Sequence, residues 1–242
     1  MRLTRSYVDA ALAVGATVAL SENASAHLLR VLRLGLGDAC IVFNGDGADY
    51  EARIVTLGKR GAEVEVMLRR DVANESPLRI TLSQSIARGE KMDWILQKAT
   101  ELGVAAIVPI ITERTEVKLD AERGEKRCQH WRGVIAAACE QSGRTRLPQL
   151  ATPQALCDWL VTVAASGWYL DPDAEAGLRD IDANATALTL VIGPEGGLGE
   201  RDLAMLRTAG FRGLRLGPRI LRTETAGLAA LAALQALHGD LG

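Results

Sequence analysis

The sequence predicts two folded parts in series: a small β-barrel, then an α/β domain built on a mostly parallel sheet. Residues 39–68, ACIVFNGDGADYEARIVTLGKRGAEVEVML, alternate apolar and polar side chains around Gly45-Asp46-Gly47 and a Gly-Lys-Arg-Gly turn at 58–61. That period of two, closed by tight turns, belongs to antiparallel hairpins. Beyond Pro77 the pattern changes to short apolar runs alternating with longer amphipathic stretches, as in βαβ chains. Glycines punctuate the ends of those runs, which fixes where strands and helices stop.

In chain order, SENASAHLLRVLRLGLGD (21–38) reads as a short helix capped by Ser21 or Ser25 and running into a turn. The hairpins at 39–68 form a small barrel, and RRDVANESPLR (69–79) resets the chain. The domain spans drawn from this are 1–72 and 73–242. In the second, LRITLSQSI (78–86) is a strand, and GEKMDWILQKATELG (89–103) is a helix with Gly103 just past its end. VAAIVPIIT (104–112) is a strand, followed by a helix closed by Gly143. A further helix opens at Thr152 with Pro153 in its first position. Strands then fall at GWYLDPD (167–173), ALTLVIGPEGG (187–197) and FRGLRLGP (211–218), interleaved with a helix over 199–210 and a final Ala/Leu helix.

Composition excludes several classes. With 28 Lys and Arg against 30 Asp and Glu, the net charge of -2 carries no global basic signature. Between Arg201 and Arg222, however, six arginines face one acid, Asp202, a local excess suited to a polyanion. Cys40, Cys128, Cys139 and Cys157 form no C-x-x-C and sit near no histidine pair, so no metal site is expected. Met1-Arg-Leu-Thr-Arg leads into no sustained apolar stretch, and the last helix carries Gln235 and His238. The expectation is a cytoplasmic protein with reduced thiols, no signal peptide and no membrane span.

Ligands of parallel α/β sheets sit beyond the carboxyl ends of the strands. Three such ends are chemically unusual here: Leu170-Asp171-Pro172, Gly193-Pro194-Glu195-Gly196-Gly197, and Leu216-Gly217-Pro218 leading into Arg219-Ile220-Leu221-Arg222-Thr223-Glu224-Thr225. The glycines let backbone amides approach a ligand closely. The glycine loop is neither a Walker loop nor a dinucleotide fingerprint, which weighs against a nucleotide-dependent dehydrogenase. At the mouth of the last helix, Thr223 or Thr225 is the candidate cap, and Glu224 suits the positive end of the helix dipole.

IGPEGGLGERD (192–202), followed by LGPRILRTETA (216–226), resembles the C-terminal signature of SPOUT methyltransferases, and specifically of the ribosomal small-subunit (16S rRNA) uridine-N3 methyltransferase E family. HLLRVLRLGLGD from His27, QSIARGEKMDWILQKATELGVAAIVPIITERTEV from Gln84 and AAACEQSGRTRLPQL from Ala136 are similar to that family in the same order. Thr4 stands where the family usually has proline, and Gly196-Gly197-Leu198-Gly199 replaces the commoner Gly-Gly-Phe-Ser. The resemblance implies a PUA-like RNA-binding barrel and a SPOUT domain whose C-terminal segment forms a trefoil knot. It further implies a homodimer, S-adenosyl-L-methionine as cofactor, and 16S rRNA or the 30S subunit as substrate. The cofactor residues it implies are Leu170, Ile192, Gly193, Pro194, Gly196, Gly197, Leu216, Gly217, Ile220, Leu221, Arg222 and Thr225.

N3 of uridine carries a proton at neutral pH, so methylation there needs a proton acceptor or a cation that stabilises the anionic base. Arg222 is the favoured side chain for the base, and Glu195 and Glu224 are the candidate acceptors. N3 lies on the Watson–Crick edge, so the uridine must be unpaired or flipped out. Candidate RNA contacts are Arg2, Arg5, His27, Arg30, Arg33, Arg88, Lys91, Gln141 and Arg144. Two competing readings keep the fold: a SPOUT enzyme acting on another RNA, and a non-catalytic RNA-binding assembly factor.

Overall fold

The computed structural model describes residues 3–58, 61–117, 121–163, 167–182 and 184–242. The chain divides into two compact units, Met1–Glu75 with Ala136–Leu147, and Ser76–Ile135 with Pro148–Gly242. Residues 136–147 belong to the first unit although they lie more than sixty residues beyond Glu75 in sequence.

The first unit is a five-stranded sheet in the order β1-β3-β4-β5-β2. Its strands are β1 (Arg5–Tyr7), β2 (Thr17–Ala19), β3 (Ala39–Phe43), β4 (Ala48–Gly58) and β5 (Gly61–Asp71). β1 runs parallel to β3, and the other neighbours are antiparallel. Every second residue of β4 from Ala48 to Ile54 is buried, as are Ala62, Val64 and Val66 of β5. This is the alternation of a half-buried sheet. Helix α1 (Glu22–Ala26) starts at Ser21, whose hydroxyl accepts the Ala24 amide at 3.2 Å. A wider π turn over His27–Val31 follows. Leu28 from that turn joins the core of Val42, Tyr50, Ile54 and Val64.

Arg5, buried at 6% exposure, organises the unit's polar interior. Its guanidinium donates to Asp49 at 2.6 Å, to the Cys139 carbonyl at 2.7 Å and to the Arg144 carbonyl at 3.0 Å. It also lies 4.4 Å from the Phe43 ring centroid. Arg144 is equally buried and donates to Glu75 at 2.5 Å. Burial pushes the Cys40 thiol up to about 11 and the Cys139 thiol up to about 12, which keeps both unreactive. The four cysteines form no disulfide.

The second unit is a parallel sheet in the order β12-β10-β11-β6-β7-β8, with β9 also on β7. The strands are β6 (Arg79–Ser85), β7 (Ala106–Ile111), β8 (Gln149–Leu150), β9 (Gln154–Ala155), β10 (Trp168–Leu170), β11 (Ala187–Ile192) and β12 (Arg212–Leu214). Helix α2 covers Lys91–Glu101, and α3 (Ala121–Ser142) has residues in both units. The remaining helices are α4 (Leu156–Thr162), α5 (Glu200–Thr208) and α6 (Thr223–His238). Gly103 and Gly143 take φ of +79° and +89° just past α2 and α3, as helix-terminating glycines do. Trp159, Leu206 and Phe211 pack with Val108, Tyr169 and Val191. Along α6, Ala230, Leu231 and Leu234 are buried. Gln235, fully buried, accepts from Ser76 at 2.6 Å and donates to the Gly103 carbonyl at 3.3 Å. Among the described residues no helix is long and apolar enough to cross a membrane.

Two local readings change. The helix expected from Thr152 begins at Leu156, because Gln154 and Ala155 pair with Ile110 and Ile111 as β9. Sheet pairing overrides the Thr-Pro start signal. At α6 neither threonine caps: Arg222 is the N-cap residue and makes no side-chain cap bond. The Thr223 hydroxyl is taken by a bond across the site, described next.

Candidate cofactor and catalytic site

Leu170, Ile192 and Leu214 end three adjacent strands, β10, β11 and β12. Beyond these ends lies a cleft of about 570 Å³, within the size range of small-molecule sites. Its walls are Leu170, Ile192, Leu198, Leu203, Leu214, Leu216 and Leu221, and its polar groups are Lys91, Asp171, Asp173, Glu195, Arg219, Arg222, Thr223 and Glu224. Aliphatic walls with a few convergent polar groups suit a ligand that has a flat apolar part and charged ends.

The glycine loop after β11 has a defined construction. A Cβ on Gly193 would stand 2.9 Å from the Leu198 amide nitrogen, so the chain can fold back here only at glycine. Gly197 takes φ +72°, and its amide donates to the Pro194 carbonyl at 2.9 Å. Arg114 donates to the Gly196 carbonyl at 2.9 Å and holds the loop's outer side. Asp202, buried at 2%, accepts the Gly199 amide at 2.9 Å and the Glu113 amide at 3.2 Å. The loop therefore enters α5 already braced.

The C-terminal segment is tied to the same loop. The Thr223 hydroxyl donates to the Gly193 carbonyl at 2.6 Å and accepts from the Gln84 side chain at 3.0 Å. This joins the ends of β6 and β11 to the first residue of α6. Thr223→Val removes the hydroxyl and leaves the buried Gln84 amide and the part-buried Gly193 carbonyl without that partner. A loss of about 1–3 kcal/mol in urea unfolding is expected, and an unchanged midpoint would refute the relay.

Glu195 is a latch. Its Oε1 accepts the Arg88 amide at 3.2 Å and Lys91 Nζ at 3.3 Å. Burial pushes its carboxyl up, but its own backbone amide, the Arg88 amide and Lys91 outweigh that and hold it below the usual carboxylate range. Lys91 also stands 3.6 Å from Glu224 Oε2. Glu224 is 9% exposed.

Of the cofactor residues expected, Leu170, Ile192, Gly193, Pro194, Gly197, Leu216, Gly217, Ile220, Leu221 and Arg222 line the cleft, and so do Glu195 and Glu224. Gly196 and Thr225 are not among the lining residues. Gly196 faces Arg114. Thr225 is exposed, because the helical turn that puts Thr223 and Ala226 on one face carries it to the other side.

The expected RNA contacts divide. His27, Arg30 and Arg33 are exposed on one short segment of the first unit, with Arg33 at φ +57°, and Gln141 is exposed at the end of α3. Arg5 and Arg144 are corrections: both are only 6% exposed, with their guanidinium groups committed to ion pairs inside the first unit. Arg88 pairs with Glu116, and Lys91 faces the cleft. Arg2 lies outside the described residues. Sequence reasoning missed Asp173, Leu198, Leu203, Leu214 and Ala226 as lining, and offered Thr223 as a cap. An Asp-Pro-Asp run at a strand end was the available signal for Asp173. Leu198 and Leu214 carry no signal apart from the fold.

The chain is similar to known proteins over nearly its whole length. Residues 74–235 match the RNA methyltransferase domain family, and residues 20–67 match the RNA methyltransferase PUA domain. Two relatives named Ribosomal RNA small subunit methyltransferase E are 31% identical (Buchnera aphidicola, 99% of this chain and 98% of the relative) and 34% identical (Mycobacterium tuberculosis, 96% and 90%). A putative methyltransferase from Legionella pneumophila, solved in complex with SAM, superposes with a TM-score of 0.95 at 39% identity over the whole of both chains. A ribosomal RNA small subunit methyltransferase E from Neisseria gonorrhoeae bound to S-adenosyl methionine gives 0.91 at 40%, again over both whole chains. The chain belongs to the ribosomal RNA small subunit methyltransferase E family of RNA methyltransferases.

Proposed function

We propose that the protein methylates N3 of a specific uridine in 16S ribosomal RNA, using S-adenosyl-L-methionine and acting on the assembled small subunit in the cytoplasm. The observation that carries this is the cleft where three parallel strands end, walled by leucines and bounded by the 193–197 and 216–222 loops. The residues fit the cofactor: leucine and isoleucine side chains match an adenosine, and Asp171, Asp173 and Glu195 offer negative charge to a cationic ligand. When bound, the cofactor supplies an electrophilic methyl on a sulfonium.

The chain's own residues then have separable tasks. The leucine walls exclude water, the glycine loop offers backbone groups at close range, and Arg222 steadies the target base. An acidic side chain of the cleft takes the N3 proton. His27, Arg30, Arg33 and Gln141 serve RNA, with the segment 1–72 acting as a PUA-like barrel and 73–242 as the methyltransferase domain. The reading includes a SPOUT fold in which the C-terminal segment is drawn through as a trefoil knot. The ties from Thr223 to Gly193 and Gln84 hold that segment against the glycine loop. It also includes a homodimer, for which light scattering at micromolar concentration is the check.

The test is transfer of labelled methyl from S-adenosyl-L-methionine to small subunits lacking the modification, with mass spectrometry to place the label. Label on N3 of one uridine, slower on bare transcript, is the expected result. Tight S-adenosylhomocysteine binding without label on the subunit would move the substrate to another RNA.

A further inference from the structure

Two carboxylates stand near one lysine in the cleft, and they are not equivalent. Glu195 accepts two hydrogen bonds on Oε1. Glu224 Oε2 is shielded from water and has no hydrogen-bond partner among the described residues, with Lys91 at 3.6 Å. That oxygen has an ion pair with Lys91 but no hydrogen bond, so it is incompletely satisfied, and a catalytic role is one reason native proteins keep such groups. The position of Glu224 points the same way. Beside the cleft lies a shallower groove of about 620 Å³ with Trp94 on its wall, and Lys91 and Glu224 are the residues common to both. Methyl transfer needs donor and acceptor to approach in line from opposite sides, and Glu224 stands at the junction of two spaces that could supply them.

Building on the N3-uridine reading above, we propose that Glu224 is the proton acceptor of the reaction, that Lys91 positions it, and that Glu195 serves to hold the loop. The N3–H bond of the base breaks and its proton passes to the Glu224 carboxylate. The freed pair on N3 forms the new bond to the methyl as the sulfur–methyl bond breaks, and the pair of that broken bond stays on sulfur. The proton then leaves Glu224 to solvent past Lys91, which is partly exposed. The charged groups lining the two spaces with Glu224 are Lys91, Glu90 and Asp93 from α2 and its entry, Glu195, Asp171 and Asp173 from the strand-end loops, and Arg219 and Arg222 of the C-terminal segment. Lys91 offsets the negative charge of the other acids around the carboxylate.

The experiment compares wild type with Glu224→Gln and Glu224→Asp on small subunits lacking the modification. It reads kcat from pH 6 to 9 and S-adenosylhomocysteine affinity by calorimetry. Glu224→Gln is expected to lose about 10²–10⁴-fold in kcat, with S-adenosylhomocysteine affinity within about threefold of wild type. Its residual rate should rise about tenfold per pH unit, because the base must then ionise unaided, whereas the wild-type profile is flatter. Glu224→Asp, which keeps a carboxylate, should recover part of the rate and the flatter profile. Unchanged kcat in Glu224→Gln overturns the assignment. So does a loss confined to S-adenosylhomocysteine affinity, which would make Glu224 a counter-charge for the cofactor. Wild type placing its methyl on an atom other than N3 overturns the functional reading itself, an outcome separate from either.

Discussion

Arg5→Ala should destabilise the first unit by about 3–5 kcal/mol in chemical denaturation, the range for removing one partner of a buried ion pair. Arg5 is 6% exposed, and its guanidinium joins two distant pieces of chain: Asp49 near the start of β4, and the end of α3 through the Cys139 carbonyl and the Arg144 carbonyl just beyond it. Alanine leaves the Asp49 carboxylate, 17% exposed, without its cation, and two buried carbonyls without a donor. It also removes the stacking on Phe43. Arg5→Lys should recover little, because one ammonium cannot reproduce the fork that reaches a carboxylate and two carbonyls together. Because residues 136–147 belong to the same compact unit as the N-terminal strands, hydrogen exchange at Cys139–Arg144 should speed up along with exchange in β1 and β3. Stability within about 1 kcal/mol of wild type would refute the structural role, because that is the scale of an exposed ion pair.

Gly193→Ala should weaken S-adenosylhomocysteine binding by about 10- to 100-fold, equivalent to roughly 1–3 kcal/mol of overpacking, while the protein remains folded. The added methyl would meet the Leu198 amide nitrogen at 2.9 Å and the Gly197 carbonyl carbon at 3.1 Å. These are backbone atoms and cannot rotate aside, so the loop must open. Opening it pulls on Thr223 through the Gly193 carbonyl, and so moves both walls of the cleft at once. Gly196→Ala is the control. Its methyl would meet only the flexible Arg114 side chain, at 3.4 Å, and Gly196 is not among the lining residues. Calorimetry separates the two, and equal affinities would show that the loop is compliant at Gly193.

Legibility in the sequence varies by element. The hairpins of β4 and β5 were readable because a sheet with one buried face writes its geometry into every second residue. The stops at Gly103 and Gly143 were readable because a left-handed residue after a helix favours glycine. The three chemically odd strand ends did converge on one cleft, since strands in a parallel sheet all present their carboxyl ends on the same side. The start of α4 was not readable, because two residues of sheet pairing outweigh a Thr-Pro signal and leave no periodicity behind.

The arginines show the division most sharply. In sequence Arg5 and Arg144 are two more cations in a chain with scattered basic residues, and nothing local distinguishes them from Arg30 or Arg33. Burial does, and for Arg5 burial depends on carbonyls more than a hundred residues away. The same holds for the two glutamates. Each follows a glycine-rich or arginine-rich strand end, and by residue type they are interchangeable. By itself the sequence determined the class of most elements, the order of the strands along the chain, the glycine loops and the family. The tertiary structure alone decided which cations are structural, which hydroxyl ties the loops together, and which carboxylate buries an oxygen that has an ion pair but no hydrogen bond. Local pattern records a residue's own backbone and face, whereas charge pairing and solvent exclusion are properties of neighbours that only folding brings within a few ångströms.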